Sequence, residues 1–157
     1  MRIVRPPSPL SDLVHPVVFL AGSIESGQAS PWQGEVEAAV ADVEGALLNP
    51  RRDRWDPAWT ASAESPQFRA QVEWELRGLE LADVILMYFD PATRSPITLL
   101  ELGLYATSGR LLLCCPAGFW RKGNVDIVCR RYGIERADSL PEQIACLRQK
   151  IAAFRPI

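Results

Sequence analysis

The feature that most constrains the fold is an alternation of short runs, apolar at every position, with longer segments of helical periodicity. The runs are Val17-Val18-Phe19-Leu20, Ala46-Leu47-Leu48, Val84 to Phe89 and Leu111 to Cys115. A strand with one wet face alternates apolar with polar residues. Unbroken apolar runs therefore predict strands covered on both faces, as in a parallel sheet. Between them, Trp32 to Val43 places Val36, Ala39, Val40 and Val43 on one helical face, with Ser30-Pro31 as its start and Gly45 as its close. Gln67 to Ala82 turns Val72, Leu76, Leu79 and Ala82 inward. Further helices are expected at Thr98 to Ser108, near Val125–Tyr132 and from Pro141 to Phe154, with a weak fifth strand around Ile134. The expectation is an α/β domain with a central parallel sheet of about five strands. Residues 1–16 hold four prolines without periodicity and predict an arm lying across the surface.

The chain's 157 residues predict one domain over 1–157. A domain of this size buries roughly 70% of its unfolded surface, so it needs neither metal nor disulfide to fold. The formal net charge of −2 argues against a general nucleic-acid or membrane-surface binder. No charged-then-apolar leader and no membrane-spanning apolar stretch is present, which predicts a cytoplasmic protein. The four cysteines, at 114, 115, 129 and 146, lack metal-ligand spacing and are expected to be packing thiols. A single histidine, His15, cannot supply a multi-histidine metal site or a Ser-His-Asp centre in so proline-rich an arm. Neither a metal nor a redox cofactor is expected, and the available chemistry narrows to carboxylates, hydroxyls, amides and arginines.

In open parallel sheets the ligand sits beyond the carboxyl ends of the strands. Those ends are Gly22-Ser23, Asn49-Pro50-Arg51-Arg52, Asp90 and Pro116. The turn Gly22-Ser23-Ile24 can offer backbone N–H groups to an anion or sugar hydroxyl. Arg51 and Arg52 suit a carboxylate or phosphate, against the default of a solvated basic face. Trp55 and Trp59, in a segment of 16 residues from Arg51 to Pro66, and Trp74 suit stacking on a base, against the default of packing that segment down.

Two readings of Glu101 stand. It falls early in the Thr98 helix among Leu99, Leu100, Leu102 and Leu104, where an enclosed carboxylate is costly unless it has partners. With Thr98 it also fits a capping box, a purely structural role. Gly103 permits close approach of another backbone, which the capping role does not require. Glu73, Glu75 and Glu80 lie on the preceding helix; Glu73 and Glu75 cannot share a face, so at most one reaches the site. Asp83, at the amino end of its strand, is expected to be structural. A carboxylate pair across a cleft suits chemistry at an anomeric carbon, with one group as nucleophile and the other handling a proton.

These pieces together resemble the nucleoside 2-deoxyribosyltransferase-like family from about Val17 to Tyr132. The resemblance is carried by Phe19-Leu-Ala-Gly-Ser-Ile24, Asn49-Pro-Arg-Arg52, Gln71-Val-Glu-Trp-Glu75, Ala82-Asp83, Ser95-Pro-Ile-Thr-Leu-Leu-Glu101-Leu-Gly103 and Phe119-Trp-Arg-Lys-Gly-Asn-Val125. It implies a flavodoxin-like three-layer sandwich and a homo-oligomer whose neighbouring subunits complete each site. It also implies Glu101 as nucleophile, Glu75 as its acidic assistant, and a small-molecule nucleoside or nucleotide as ligand. Ser95 stands where the transferases carry Asp to contact the sugar and where nucleotide N-glycosidases carry Ser to contact a 5′-phosphate. Asn124 resembles an Asn that reaches into the adjacent subunit's site. The chain departs from the pattern at Phe19, where relatives hold Tyr, and at Glu25, where the nucleotide hydrolases hold Arg. Ser95 and Glu25 thus point in opposite directions about phosphate. Transfer to a second base, hydrolysis of a 5′-monophosphate and non-catalytic nucleotide binding all remain open at this point.

Overall fold

The computed structural model describes residues 1–24, 29–52 and 60–155. Six strands form one sheet: β1 (Arg2–Val4), β2 (Val17–Gly22), β3 (Ala46–Leu48), β4 (Val84–Tyr88), β5 (Leu111–Cys114) and β6 (Glu135–Ala137). Their order is β1-β3-β2-β4-β5-β6, and every neighbouring pair is parallel. Five helices connect or follow them: α1 (Trp32–Ala39), α2 (Pro66–Leu81), α3 (Pro96–Tyr105), α4 (Lys122–Tyr132) and α5 (Leu140–Ala153). The result is the flavodoxin-like three-layer sandwich, with one strand more than the apolar runs predict.

Alternate strand residues feed the two layers. Val18, Leu20, Leu86, Leu112 and Cys114 pack with Trp32, Val36 and Val40 of α1 and with Leu140, Leu147 and Ile151 of α5. Phe19, Ala21, Ile85, Met87, Leu113 and Cys115 pack with Trp74 and Leu79 of α2, Leu102 of α3, and Val125 and Cys129 of α4. The adjacent Cys114 and Cys115 face opposite layers, and all four cysteines are free thiols. Burial pushes the Cys114 thiol up to about 12 and those of Cys115 and Cys129 to about 11, so these three are inert packing groups.

The extra strand comes from the proline-rich arm, which is not wholly a surface arm. Arg2 N donates to Gly45 O at 2.8 Å, and the Met1 ammonium donates to Val40 O at 2.9 Å. These bonds draw residues 2–4 onto the open edge of β3. Farther along, Trp74 Nε1 donates to Ser8 O at 2.8 Å and ties the arm to α2. Asp83 is structural, as its position implies: its Oδ2 accepts from Val17 N at 2.7 Å and lies 2.6 Å from His15 Nδ1.

Two helices differ from their sequence patterns in ways that matter for the site. The buried face of α2 is Gln71, Trp74, Gly78 and Leu79, whereas Leu76 is exposed and Val72 only half-buried. Gly78 sets this rotation: a Cβ there would lie 2.7 Å from the Phe19 ring, so the helix seats its glycine directly on that ring. Helix α3 begins at Pro96 rather than Thr98, with Ser95 as its N-cap in the left-handed region at φ 47°. Thr98 and Glu101 are therefore both interior helix residues, and the capping-box reading of Glu101 fails.

The chain runs from β2 to β3 on one side and then crosses back to β4 on the other. The carboxyl ends of β2 and β4 thus flank the switch point where open α/β sheets form their ligand crevice. Gly22 permits that convergence, because a Cβ there would meet Tyr88 O at 2.5 Å and the Trp32 ring at 2.7 Å. Among the described residues, no helix is long and apolar enough to cross a membrane.

Candidate active site

Glu101 sits in the second turn of α3 and is 8% exposed. Burial, reinforced by the charge of Glu75, pushes its carboxyl up to about 8. Glu75 projects from α2 into the same space, and burial raises its carboxyl as well, against the lowering influence of Gln71 and Arg52. Glu73, two residues earlier, is exposed, as the helical geometry requires. The two carboxyls are thus close enough for the charge of one to act on the other, and neither is fully exposed. With its carboxyl pushed up to about 8, Glu101 keeps its proton at neutral pH, because a second negative charge beside Glu75 in a desolvated site is costly.

At the amino end of α3 lies a knot of three buried hydroxyls, Ser23, Thr93 and Ser95. Thr93 Oγ1 lies 2.8 Å from Ser23 Oγ and 2.7 Å from Ser95 Oγ, and the two serine hydroxyls also bond to each other. Ser23 Oγ further accepts from Asp90 N at 3.0 Å. The backbone N–H of Ser23 donates to Tyr88 O and is committed to the strand pair, not free for an anion. What the β2 turn contributes is the hydroxyl. Ser95 owes its inward aim to a left-handed backbone, uncommon for a residue with a Cβ and frequent at functional sites.

Asp90 is a brace. Its Oδ2 accepts from Ser30 N and Ser30 Oγ, both at 2.8 Å, and its Oδ1 accepts from Ala92 N at 2.9 Å. Burial alone would raise this carboxyl, but those three bonds outweigh it and hold Asp90 below its ordinary value. Ser30 is accordingly spent on Asp90, and Pro31 occupies the N-cap of α1. Asn49 is also largely committed: Nδ2 donates to Glu37 Oε1 at 2.7 Å, and Oδ1 accepts from Arg51 N at 2.9 Å. Glu37 in turn pairs with Arg5 at 2.5 Å.

Arg51 and Arg52 do not form a solvated basic face. Both are half-buried; Arg51 Nη1 reaches Gln33 Oε1 at 3.3 Å, and Arg52 Nε donates to Gln71 Oε1. Phe19 lies wholly within the core, its ring 6.4 Å from that of Trp74. Trp74 is therefore a packing residue. Glu25, Trp55 and Trp59 lie outside the described residues. Asn124 is exposed on the first turn of α4.

Hydrogen bonds therefore bring together Ser23, Asp90, Thr93 and Ser95 beside Gly22 at the β2–β4 crevice. Glu101 lies farther along α3, where the charge of Glu75 from α2 reaches it, and Arg52 acts on Glu75 from the segment after β3. Sequence reasoning does not single out Thr93, Gln33 or Gln71. Thr93 carries no periodic signal. Gln71 does carry one, since it stands four residues before Glu75 and so shares its helical face. Among the described residues, no group of three histidines, cysteines or carboxylates is placed to hold a metal ion.

A comparison with curated proteins finds no match. The profile of a family described as nucleoside 2-deoxyribosyltransferase like matches residues 15–119, which include β2 to β5, both carboxyls and all three hydroxyls, though not Asn124. That match spans more than half of the chain, so the protein belongs to the nucleoside 2-deoxyribosyltransferase-like family.

Proposed function

We propose that the protein cleaves the N-glycosidic bond of a (deoxy)ribonucleoside through a covalent glycosyl–Glu101 intermediate. The observation that carries this reading is the Glu101–Glu75 pair: Glu101 is buried, its carboxyl is pushed up to about 8, and the charge of Glu75 contributes to that rise. Cleavage with retention needs just such a pair, a carboxylate to attack and a proton to deliver. A Glu101 oxygen forms a bond to C1′ as the C1′–N bond breaks. The electron pair of that bond leaves with the base, and the shared proton passes through Glu75 to the base. In the second half, a second base (transfer) or water (hydrolysis) attacks C1′ and gives its proton to Glu75 as the C1′–O bond breaks and Glu101 departs as carboxylate.

A second reading, a nucleoside 5′-monophosphate N-glycosidase, is favoured by one observation. The Ser23, Thr93 and Ser95 hydroxyls gather at the amino end of α3, where peptide dipoles favour an anion. Chromatographic assay of base release and base exchange over nucleosides and their 5′-monophosphates tests both readings. Base release is expected to fall by at least about 10³-fold in Glu101→Ala. Exchange between bases marks a transferase, and strict dependence on the 5′-phosphate marks the hydrolase. Ligand-induced thermal stabilisation that survives Glu101→Ala, with no base released by the wild type, would instead make the chain a nucleotide-binding module.

The proposal extends to a homo-oligomer in a cytoplasmic setting, in keeping with the free thiols. On α3, Ile97, Leu100 and Leu104 are between 57% and 60% exposed and lie on one face, and Gly103 beside them faces open space. The stripe continues to Trp120, whose indole donates to Arg94 O at 3.0 Å and lies within 5 Å of the Arg94 and Arg121 guanidinium carbons. The occupant proposed is a second copy. The α3 stripe carries no charge, so two copies related by a two-fold axis meet there without repulsion. Its residues flank Glu101, so a copy seated on it also walls the site.

A further inference from the structure

We infer that Gln71 is a positioning residue for the carboxyl pair: its carboxamide, fixed in one orientation by Arg52 and Pro50, holds Glu75 with an N–H donor and so governs where the shared proton rests. This inference rests on the glycosyl-transfer reading for its catalytic consequence, but the contact itself does not.

Gln71 is 4% exposed on the buried face of α2, and three groups surround its carboxamide. Arg52 Nε donates to Oε1, and Nε2 donates to Pro50 O at 3.0 Å and to Glu75 Oε1 at 2.7 Å. A guanidinium only donates, and a peptide carbonyl only accepts. The amide oxygen must therefore face Arg52, and the NH2 must face Pro50 and Glu75. No flipped orientation satisfies the same neighbours, so the donor aimed at Glu75 is built in.

Among the described residues, the charged groups that act with Glu75 are Arg52, from the segment after β3, and Glu101, from α3. On the far side of Glu101 stands Tyr105, the phenol of which also responds to that charge. Gln71 lies between Arg52 and Glu75 and supplies to Glu75 the hydrogen bond that favours its ionised form. Glu75 therefore gives up the shared proton readily, to Glu101 in the empty site and to a departing base in the occupied one. As Glu101 bonds to C1′ it can no longer hold that proton, which passes through Glu75 to the base nitrogen. A weaker acid at Glu75 would slow this delivery.

Carboxyl-carbon NMR titration of the full chain, with glutamates isotopically labelled and Glu75 assigned by Glu75→Gln, tests the contact without recourse to activity. In Gln71→Met, near in volume but unable to donate, the Glu75 midpoint is expected to rise by about one pH unit, a tenfold change in proton affinity. Gln71→Glu retains an acceptor for Arg52 and loses the donor, so it is expected to move Glu75 the same way. In turnover, both variants are expected to lose about tenfold or more in kcat with KM little changed, and the acid limb of the pH profile follows the Glu75 midpoint upward. A merely structural Gln71 would lower thermal stability and leave that midpoint in place, which overturns the inference. Should neither variant fold, the wild type still decides: its Gln71 side-chain amide protons must shift with the Glu75 titration, and constancy across it overturns the inference. If the wild type releases no base from any substrate, the glycosyl reading falls while the titration still reports on Gln71.

Discussion

Glu101 is held where a carboxylate is uncomfortable, and that discomfort is measurable apart from any chemistry. In the folded chain its proton is retained up to about 8, whereas an ordinary glutamate releases it near 4.5. Between those values the folded state binds more protons than the unfolded state. The contribution of Glu101 to stability is thus full below about 4.5 and is lost as pH rises through about 8. Gln cannot ionise, so Glu101→Gln is expected to melt close to the wild type at pH 5 and several degrees higher at pH 8.5, a gain on the order of a few kcal/mol. Melting curves of both proteins from pH 5 to pH 9 check this; curves that stay parallel would remove the strained carboxyl from the account. Glu101 is legible in the sequence as an acidic residue among leucines; helical geometry admits only one of Glu73 and Glu75 to the site, and the family resemblance implies that it is Glu75. The commitments of Asp90 and Asn49 were not legible. A short polar residue at a strand end can face a ligand or brace a loop with equal local plausibility, and only the positions of Ser30 and Glu37 decide between them.

At the scale of elements, apolar runs located β2 to β5 because a strand buried on both faces has no room for polar residues. Strand β1 escaped because three residues carry no periodicity and its pairing depends on the vacant edge of β3. Helix α2 buries Leu79 and, at its C-cap, Ala82 as its pattern predicts but turns Leu76 outward, for a physical reason. Its floor is the flat Phe19 ring, which selects glycine for contact and leaves Gln71 and Trp74 on either side, while the obvious apolar residue Leu76 turns outward. Had Leu76 faced inward, Gln71 and Glu75 would not point toward Arg52 and Glu101. The seating of α2 is therefore a condition of the site. Gly78→Ala places a methyl 2.7 Å from the Phe19 ring and 3.4 Å from Leu48 Cδ1. The overpacking is expected to cost about 1–3 kcal/mol, more than the roughly 1 kcal/mol that alanine gains in helix propensity, so chemical denaturation is expected to show a net loss. Unchanged stability would mean that α2 is free to shift, and that the carboxyl pair is not held by this packing.

For the whole molecule, the α3 face raises the question of what covers it. A helix at the centre of its layer, with Glu101 on its inner flank, presents Ile97, Leu100 and Leu104 outward and leaves Gly103 without a neighbour among the described residues. Leucines around a buried glutamate call for an enclosed helix, and Gly103 permits the close approach of another backbone. Among the described residues of one chain neither is supplied; a second chain would supply both. Aspartate at Leu100 and Leu104 places two carboxylates against their symmetry mates and removes an apolar anchor from each copy, yet touches no buried contact in the monomer. The double variant Leu100→Asp/Leu104→Asp is expected to sediment as a monomer with unaltered far-UV circular dichroism, its own folding stability shifted by about 1 kcal/mol or less. The wild type is expected to sediment as a dimer or larger assembly at micromolar concentration. If the second copy walls the site, base release falls together with the mass and returns in proportion when concentration forces any residual association. A wild type that stays monomeric throughout would leave the stripe without this occupant, and a monomeric variant with full activity would show that the site is complete in one chain.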